Sequence, residues 1–419
     1  MKNAVLADQV APLLEDLAAL YEDLHQHPEL SFQEERTAGI AAQRLRDLGY
    51  EVTEGVGRTG VVAVLDNGPG PTLLIRADMD ALPVTEETGL PYASTQTGVD
   101  PDGATVGVTH ACGHDMHVTW LIGAAAVLAE DRDSWSGRLM FVVQPAEELA
   151  EGADAMIADG LFERFGKPDV CLGQHLAPAP AGWILYRGGP TMAATDSVKL
   201  TLHGRGGHGS TPEMTVDPAI LAASTIMKLQ TITSREKAAA DLAVVTVGTV
   251  RVGTKENVIS DRAELGINIR TFSERVRQDV LASIERIAHG ESHSCGSPRD
   301  PDIETIHAFP ALVNDPEATA RVSAVFTEHF GEGRCMEGPQ ALGSEDFGAF
   351  ATAAGCPSVF WFVGGHDADH WLQAFAANRL AEEVPYNHSP KFAPVQDPTI
   401  RTGVETLVLA ALEWAGKSA

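Results

Sequence analysis

Short apolar runs alternating with helical stretches leave this chain few architectures. Residues 61–65, 73–77, 139–143, 170–172 and 359–363 are apolar runs, each bounded by turn residues or by a helical stretch such as 118–128. Apolar strands interleaved with helices predict an α/β layer structure, a sheet with helices on both faces. Upstream, Leu13, Leu14, Leu17, Leu20, Tyr21 and Leu24 recur at helical spacing, and His27-Pro28 separates them from a second helix ending near Leu48-Gly49.

The middle of the chain breaks the pattern. After Gly188-Gly189-Pro190 the reading is a strand at 197–203, a Gly-rich loop and a helix from Asp217-Pro218 to about Thr233. Strands at 242–252 and Arg262–Thr271, a helix at 273–289 and an extended piece at 302–307 follow. That β-α-β-β-α-β order is the ferredoxin-like α+β unit, and it lies between two α/β segments. The expectation is a discontinuous domain of residues 1–189 and 308–419 with residues 190–307 inserted into it.

Composition excludes several functions. With 44% hydrophobic and 21% charged residues in 419, the chain is globular and long enough for two or three domains. Lys plus Arg number 30 against 58 Asp plus Glu, a net charge of −28, so phosphate backbones and anionic lipid surfaces are poor partners. Five scattered cysteines, an odd number, fit reduced thiols rather than a disulfide framework. The N-terminal text has no charged n-region followed by an apolar h-region, and no run approaches the ~18 residues of a bilayer span. The expected location is cytoplasmic.

The densest chemistry lies in His110-Ala-Cys112-Gly-His114-Asp115-Met-His117. Thiolate and imidazole together favour zinc, cobalt, nickel or manganese over magnesium or calcium. In an extended segment Cys112 and His114, two apart, would point to the same side. After the 139–143 strand comes Gln144-Pro-Ala-Glu147-Glu148, whose adjacent carboxylates diverge, so one can bind metal while its neighbour serves as general base. Arg76-Ala-Asp78-Met-Asp80 follows another strand, and its alternating aspartates suit the orientation of a ligating imidazole. His175 ends the 170–172 run, and His388 lies in Asn387-His-Ser-Pro-Lys-Phe392. Such residues at the C-terminal ends of strands are where α/β sheets build sites, and the inventory suits a two-metal centre.

Some patterns are weaker. Gly204-Arg-Gly206-Gly-His-Gly209 matches a dinucleotide fingerprint, but Pro212 and Asp217-Pro218 delay the helix, so the better reading is a loop presenting His208. His25 and His27 read as helix-end histidines, and His366-Asp-Ala-Asp-His370 as a solvated loop.

In order along the chain, the segments 76–83, 110–117, 144–148, 204–212, 343–347 and 387–392 resemble the M20 metallopeptidase family. They are most similar to its amidohydrolase branch of N-acyl-amino-acid and hippurate-type hydrolases, and the segments 25–31, 168–175 and 228–236 resemble the N-acylglutamine aminoacylases within it. The resemblance implies a catalytic domain formed by both chain ends and an inserted lid that dimerises. It implies two divalent metals, zinc or manganese foremost and cobalt or nickel as alternatives, held by Cys112, His114, Glu148, His175 and His388, with Cys112 bridging. It further implies Glu147 as the general base and acid, Asp80 as the residue orienting a ligand, and His208, Asn257 and Arg270 as substrate-binding groups. The expected activity is hydrolysis of the amide of an N-acyl amino acid. The rival readings are a dipeptidase or carboxypeptidase of the same superfamily, and a catalytically silent metal-binding relative. This chain departs from the branch at Leu149-Ala-Glu-Gly152, at Glu213 and in a longer 364–383 segment.

Overall fold

The computed structural model describes residues 3–100 and 103–417. The chain forms two compact units, one of Met1–Gly189, Val313–Pro339 and Asp346–Ala419, the other of Pro190–Leu312 and Gln340–Glu345.

The first unit is built on β1 (Glu51–Val56), β2 (Gly60–Asn67), β3 (Thr72–Asp78), β4 (Gly137–Gln144), β5 (Val170–Pro180), β6 (Ile184–Tyr186), β7 (Cys335–Glu337) and β8 (Ser358–His366). They form one eight-stranded mixed sheet in the order β1-β2-β4-β3-β5-β8-β6-β7. β3 runs parallel to both β4 and β5, and β8 runs parallel to β5. These four central strands and the neighbouring β2 are the five apolar runs of the sequence, and their side chains are largely buried. The outer strands β6 and β7 are only three residues each, and β1 is largely polar and exposed, which is why no apolar run marks them.

Helices α1 (Leu14–Gln26), α2 (Glu35–Asp47), α3 (His114–Glu130) and α4 (Gln396–Ala415) join this core. α3 is buried along nearly its whole length. It packs against α4 at Gly403, where an added Cβ would lie 2.2 Å from the Trp120 ring. The Trp120 indole N–H donates to Thr399 O at 3.0 Å. Trp361 is fully buried, and its indole N–H donates to Gln174 Oε1 at 2.8 Å.

The second unit has four antiparallel strands, Ala194–His203, Ala243–Val252, Arg262–Thr271 and Asp302–Phe309, and two helices, Pro218–Thr231 and Glu274–Ser294. Arg262–Thr271 lies between Ala243–Val252 and Ala194–His203, and Asp302–Phe309 flanks the latter, which is the ferredoxin-like order. Gln340–Glu345 joins this unit through local bonds: the Ala193 N–H donates to Ala341 O at 3.1 Å, and Thr195 Oγ1 meets Ser344 Oγ.

The 366–370 stretch is not a solvated loop. Asp367 caps the helix Ala368–Ala376 by accepting the His370 amide, while His366 is buried at the end of β8 against Pro385 O.

Candidate metal centre

The donor residues converge from the turn before α3, the turn after β4, the segment carrying His388 and the middle of β5, where His175 lies inside a strand that runs on to Pro180 instead of ending it. Cys112 and His114 converge through a turn rather than an extended segment, which corrects the strand-based expectation. Gly113 takes φ +85°, and α3 starts at His114. β4 runs out into a left-handed Ala146 (φ 47°, ψ 43°) and a short 3₁₀ turn, Glu147–Leu149. Gly152, just beyond, has no room for a Cβ, which would lie 1.6 Å from Pro145 O. The loop thus closes tightly although this chain lacks a glycine run there.

Every donor named as a metal ligand lies in this one place. Cys112 Sγ is 3.5 Å from His175 Nε2. Glu148 Oε1 is 3.4 Å from His388 Nε2 and 3.9 Å from His114 Nε2. One donor atom from each of Cys112, Glu148 and His388 falls within a mutual 4.8 Å, and the same holds for His114, Glu147 and Glu148.

Their outer partners leave the inward atoms available. His114 Nδ1 meets Asp80 Oδ1 at 3.2 Å, and His175 Nδ1 donates to Leu176 O at 2.7 Å. Both Nε2 atoms are thereby left for the centre, the arrangement that orients ligating imidazoles. His114 Nε2 and Glu148 Oε1 are buried with no hydrogen-bond partner among the described residues. Orphaned buried atoms of this kind call for an ion or water, so the donor set fits a divalent cation.

Electrostatics points the same way. Cys112 and Glu148 push the pKa of His388 up to about 10, against the opposing effect of burial. Burial works against charge on Asp80, but the His114 hydrogen bond outweighs it and holds this carboxyl below the usual range. A cluster of thiol and carboxylate donors that favours added positive charge is a cation site.

Glu147 is buried, and its backbone N–H donates to Asp80 at 3.1 Å. In the second unit, His208 and Asn257 are neighbours: His208 pairs with Val258, and the Gly209 N–H donates to Asn257 O at 2.9 Å. The structure does not bring Arg270 to them. His203, shortly before His208, pairs with Arg262, whereas Arg270 pairs with Thr195 near the other end of the strand, roughly 27 Å away by strand rise. Arg270 donates to Ser344 Oγ at 2.9 Å and Leu342 O at 3.1 Å.

Two residues of the sequence motifs that were given no role of their own, Arg76 and His117, support the site. Arg76 is fully buried and donates to Asp78 (2.7 Å), Gln144 (2.7 Å) and Asp346 (3.2 Å), tying β3 to β4 beneath the site. A charged residue inside an apolar strand demands such partners, and that was the available signal. His117 donates to Asp78 and accepts the Leu176 amide, so both its nitrogens are engaged.

His25 does lie at the end of α1, but it is no free helix end. It is buried between Asp115 Oδ2 at 2.6 Å and Glu86 Oε1 at 3.2 Å. Burial opposes its charge, but the two carboxylates outweigh that and raise its pKa to about 10. The folded value exceeds the roughly 6.5 of an unfolded histidine, so this stabilisation is complete below that pH and is lost as pH rises through about 10. The melting temperature of the protein should therefore fall between pH 7 and 10 more steeply than that of His25→Gln. Equal slopes would remove His25 from the account.

Residues 74–382 match the model of peptidase family M20/M25/M40. The chain belongs to that family. Among its relatives is the hippurate hydrolase of Campylobacter jejuni, 38% identical over 85% of this chain and 90% of that protein. Thermostable carboxypeptidase 1 of Saccharolobus solfataricus is 34% identical over 94% of both chains. Of solved structures, a Bacillus subtilis dinuclear metal binding peptidase from the M20 family has a TM-score of 0.77 at 29% identity, covering 96% of this chain and 98% of that one. The resemblance drawn from the six sequence segments is thus correct at the level of the family and of the fold.

Proposed function

We propose that this M20 protein hydrolyses the amide bond of N-acyl amino acids, releasing a carboxylic acid and a free amino acid. The observation that carries the reading is the convergence of Cys112, His114, Glu148, His175 and His388 with a separate buried carboxylate, Glu147, beside them. A pure binding site needs the ligands but not the extra acid. Likeness to a hippurate hydrolase supports the choice of substrate class.

The five residues would hold two divalent metal ions, zinc or manganese foremost, with cobalt or nickel as alternatives that suit the same thiolate and imidazole donors. When bound, such ions supply Lewis acidity that polarises the scissile carbonyl and acidifies the attacking water. Glu147 takes a proton from that water as its oxygen bonds to the acyl carbon. It returns the proton to the amine nitrogen as the C–N bond breaks. Asp80 holds the His114 imidazole by its Nδ1 and the base loop by its amides.

His208, Asn257 and Arg270 are the substrate-facing groups of the lid, offered to the substrate carboxylate or the developing oxyanion. The wide separation of His208 from Arg270 supports a homodimer in which each lid serves two sites. So do the exposed Ile220 and Met227 on one helix and Val244, Val250 and Val252 on the edge strand Ala243–Val252, an unpaired apolar surface. We also assign the protein to the cytoplasm, given its free cysteines; no helix among the described residues is long and apolar enough to cross a membrane.

The carboxypeptidase relative favours a second reading, cleavage of peptides. Amine release from acetyl, benzoyl and long-chain acyl derivatives of Gln, Gly and Leu, run beside a dipeptide panel, separates the two. Turnover of the N-acyl set is expected; turnover confined to dipeptides would replace this reading with the second.

A further inference from the structure

The turn that presents Glu147 and Glu148 is held by two buried carboxylates, of which Asp80 is one. Three consecutive amides donate to side-chain oxygens: Ala146 to Glu34 Oε1 at 2.9 Å, Glu147 to Asp80 Oδ1 at 3.1 Å and Glu148 to Asp80 Oδ2 at 3.1 Å. Successive amides after a left-handed residue make a concave nest for anions, and this one is filled by the protein's own side chains. Ala146 carries a Cβ at φ 47°, a conformation that persists only where the surroundings hold it.

Glu34 comes from far upstream, at the start of α2, and is wholly buried. Its Oε1 also accepts the Phe32 amide at 2.8 Å, and its Oε2 accepts the Thr59 hydroxyl at 2.6 Å. It makes no ion pair among the described residues. Burial and the nearby Asp80 charge raise its pKa to about 7. A buried carboxyl group without a cation is costly unless its acceptors are used, and every bond named here fixes backbone or a neighbouring hydroxyl. The same upstream segment reaches Asp80 directly, since Ser31 Oγ donates to Asp80 Oδ2 at 2.6 Å.

We infer that Glu34 is a positioning residue for the catalytic base: by capturing the Ala146 amide it keeps the turn left-handed and so aims Glu147 at the substrate while Glu148 points to the metal donors. The inference rests on Glu147 being the base. Substitution acts through the aim of Glu147 and not through substrate affinity, so it alters kcat rather than KM.

The test compares wild type, Glu147→Gln, Glu34→Ala and Glu34→Gln on one N-acyl amino acid, with metal content measured for each. Glu34→Ala should lower kcat about 10- to 100-fold, the scale of a small misplacement of a catalytic group, with KM and metal content little changed. Glu34→Gln keeps an acceptor for Ala146 and a donor for Thr59, so it should recover most of that loss. Amide hydrogen exchange over residues 146–149 should quicken in Glu34→Ala and stay slow in Glu34→Gln. If Glu34→Ala does not fold, Glu34→Asp, which withdraws the carboxylate by one methylene, should show the same quickened exchange and reduced kcat. Unchanged kcat and exchange in Glu34→Ala or Glu34→Asp, with Glu147→Gln inactive, would overturn the role of Glu34 alone. A fully active Glu147→Gln would overturn the reading beneath it.

Discussion

Replacing Glu147 by glutamine should reduce turnover by about 10²- to 10⁴-fold, the usual contribution of a positioned acid–base group, while leaving the metal content unchanged. Glutamine matches glutamate in volume at a site that is only 5% exposed, so packing should survive. The backbone bond from this residue to Asp80 does not involve its side chain and is kept. What disappears is the ability to take and return a proton. Metal analysis beside steady-state kinetics checks this. Activity within a few-fold of wild type would remove Glu147 from the chemistry, and loss of metal with activity would make it a ligand instead.

The opposite pattern is expected at Cys112. Its thiol is buried 3.5 Å from His175, and Asn387 Nδ2 approaches it at 3.7 Å, so it is embedded in the donor cluster. Burial raises the thiol's pKa, and only a nearby cation makes the thiolate favourable in that position. Cys112→Ala should therefore lose metal and, with it, nearly all activity. Cys112→Ser should regain part of both at high metal concentration. Full metal occupancy in Cys112→Ala, measured after dialysis, would sink the ligand assignment.

Much of the fold was legible because it rests on patterns with a physical period. The four central strands are apolar runs, and the ferredoxin-like unit follows directly from its strand and helix order. The candidate donors were legible because cysteine, histidine and glutamate gathered in short motifs have few other uses. The supports were not. Glu34 is an ordinary acidic residue in a polar stretch, and nothing local reveals that it reaches the Ala146 amide, 112 positions along the chain. His25 reads as the end of a helix until Asp115 and Glu86 close around it. Even the pairing of Cys112 with His114 was expected for an incorrect reason, since a glycine turn rather than an extended strand brings them together. Long-range contacts of this kind depend on tertiary closure, which no short window of sequence encodes.

The most direct measurement is turnover of an N-acyl amino acid by chelator-stripped protein titrated with zinc or manganese. The stripped protein should be inactive and should recover fully at two metal equivalents per chain. Undiminished activity after verified metal removal would contradict a metal-dependent mechanism.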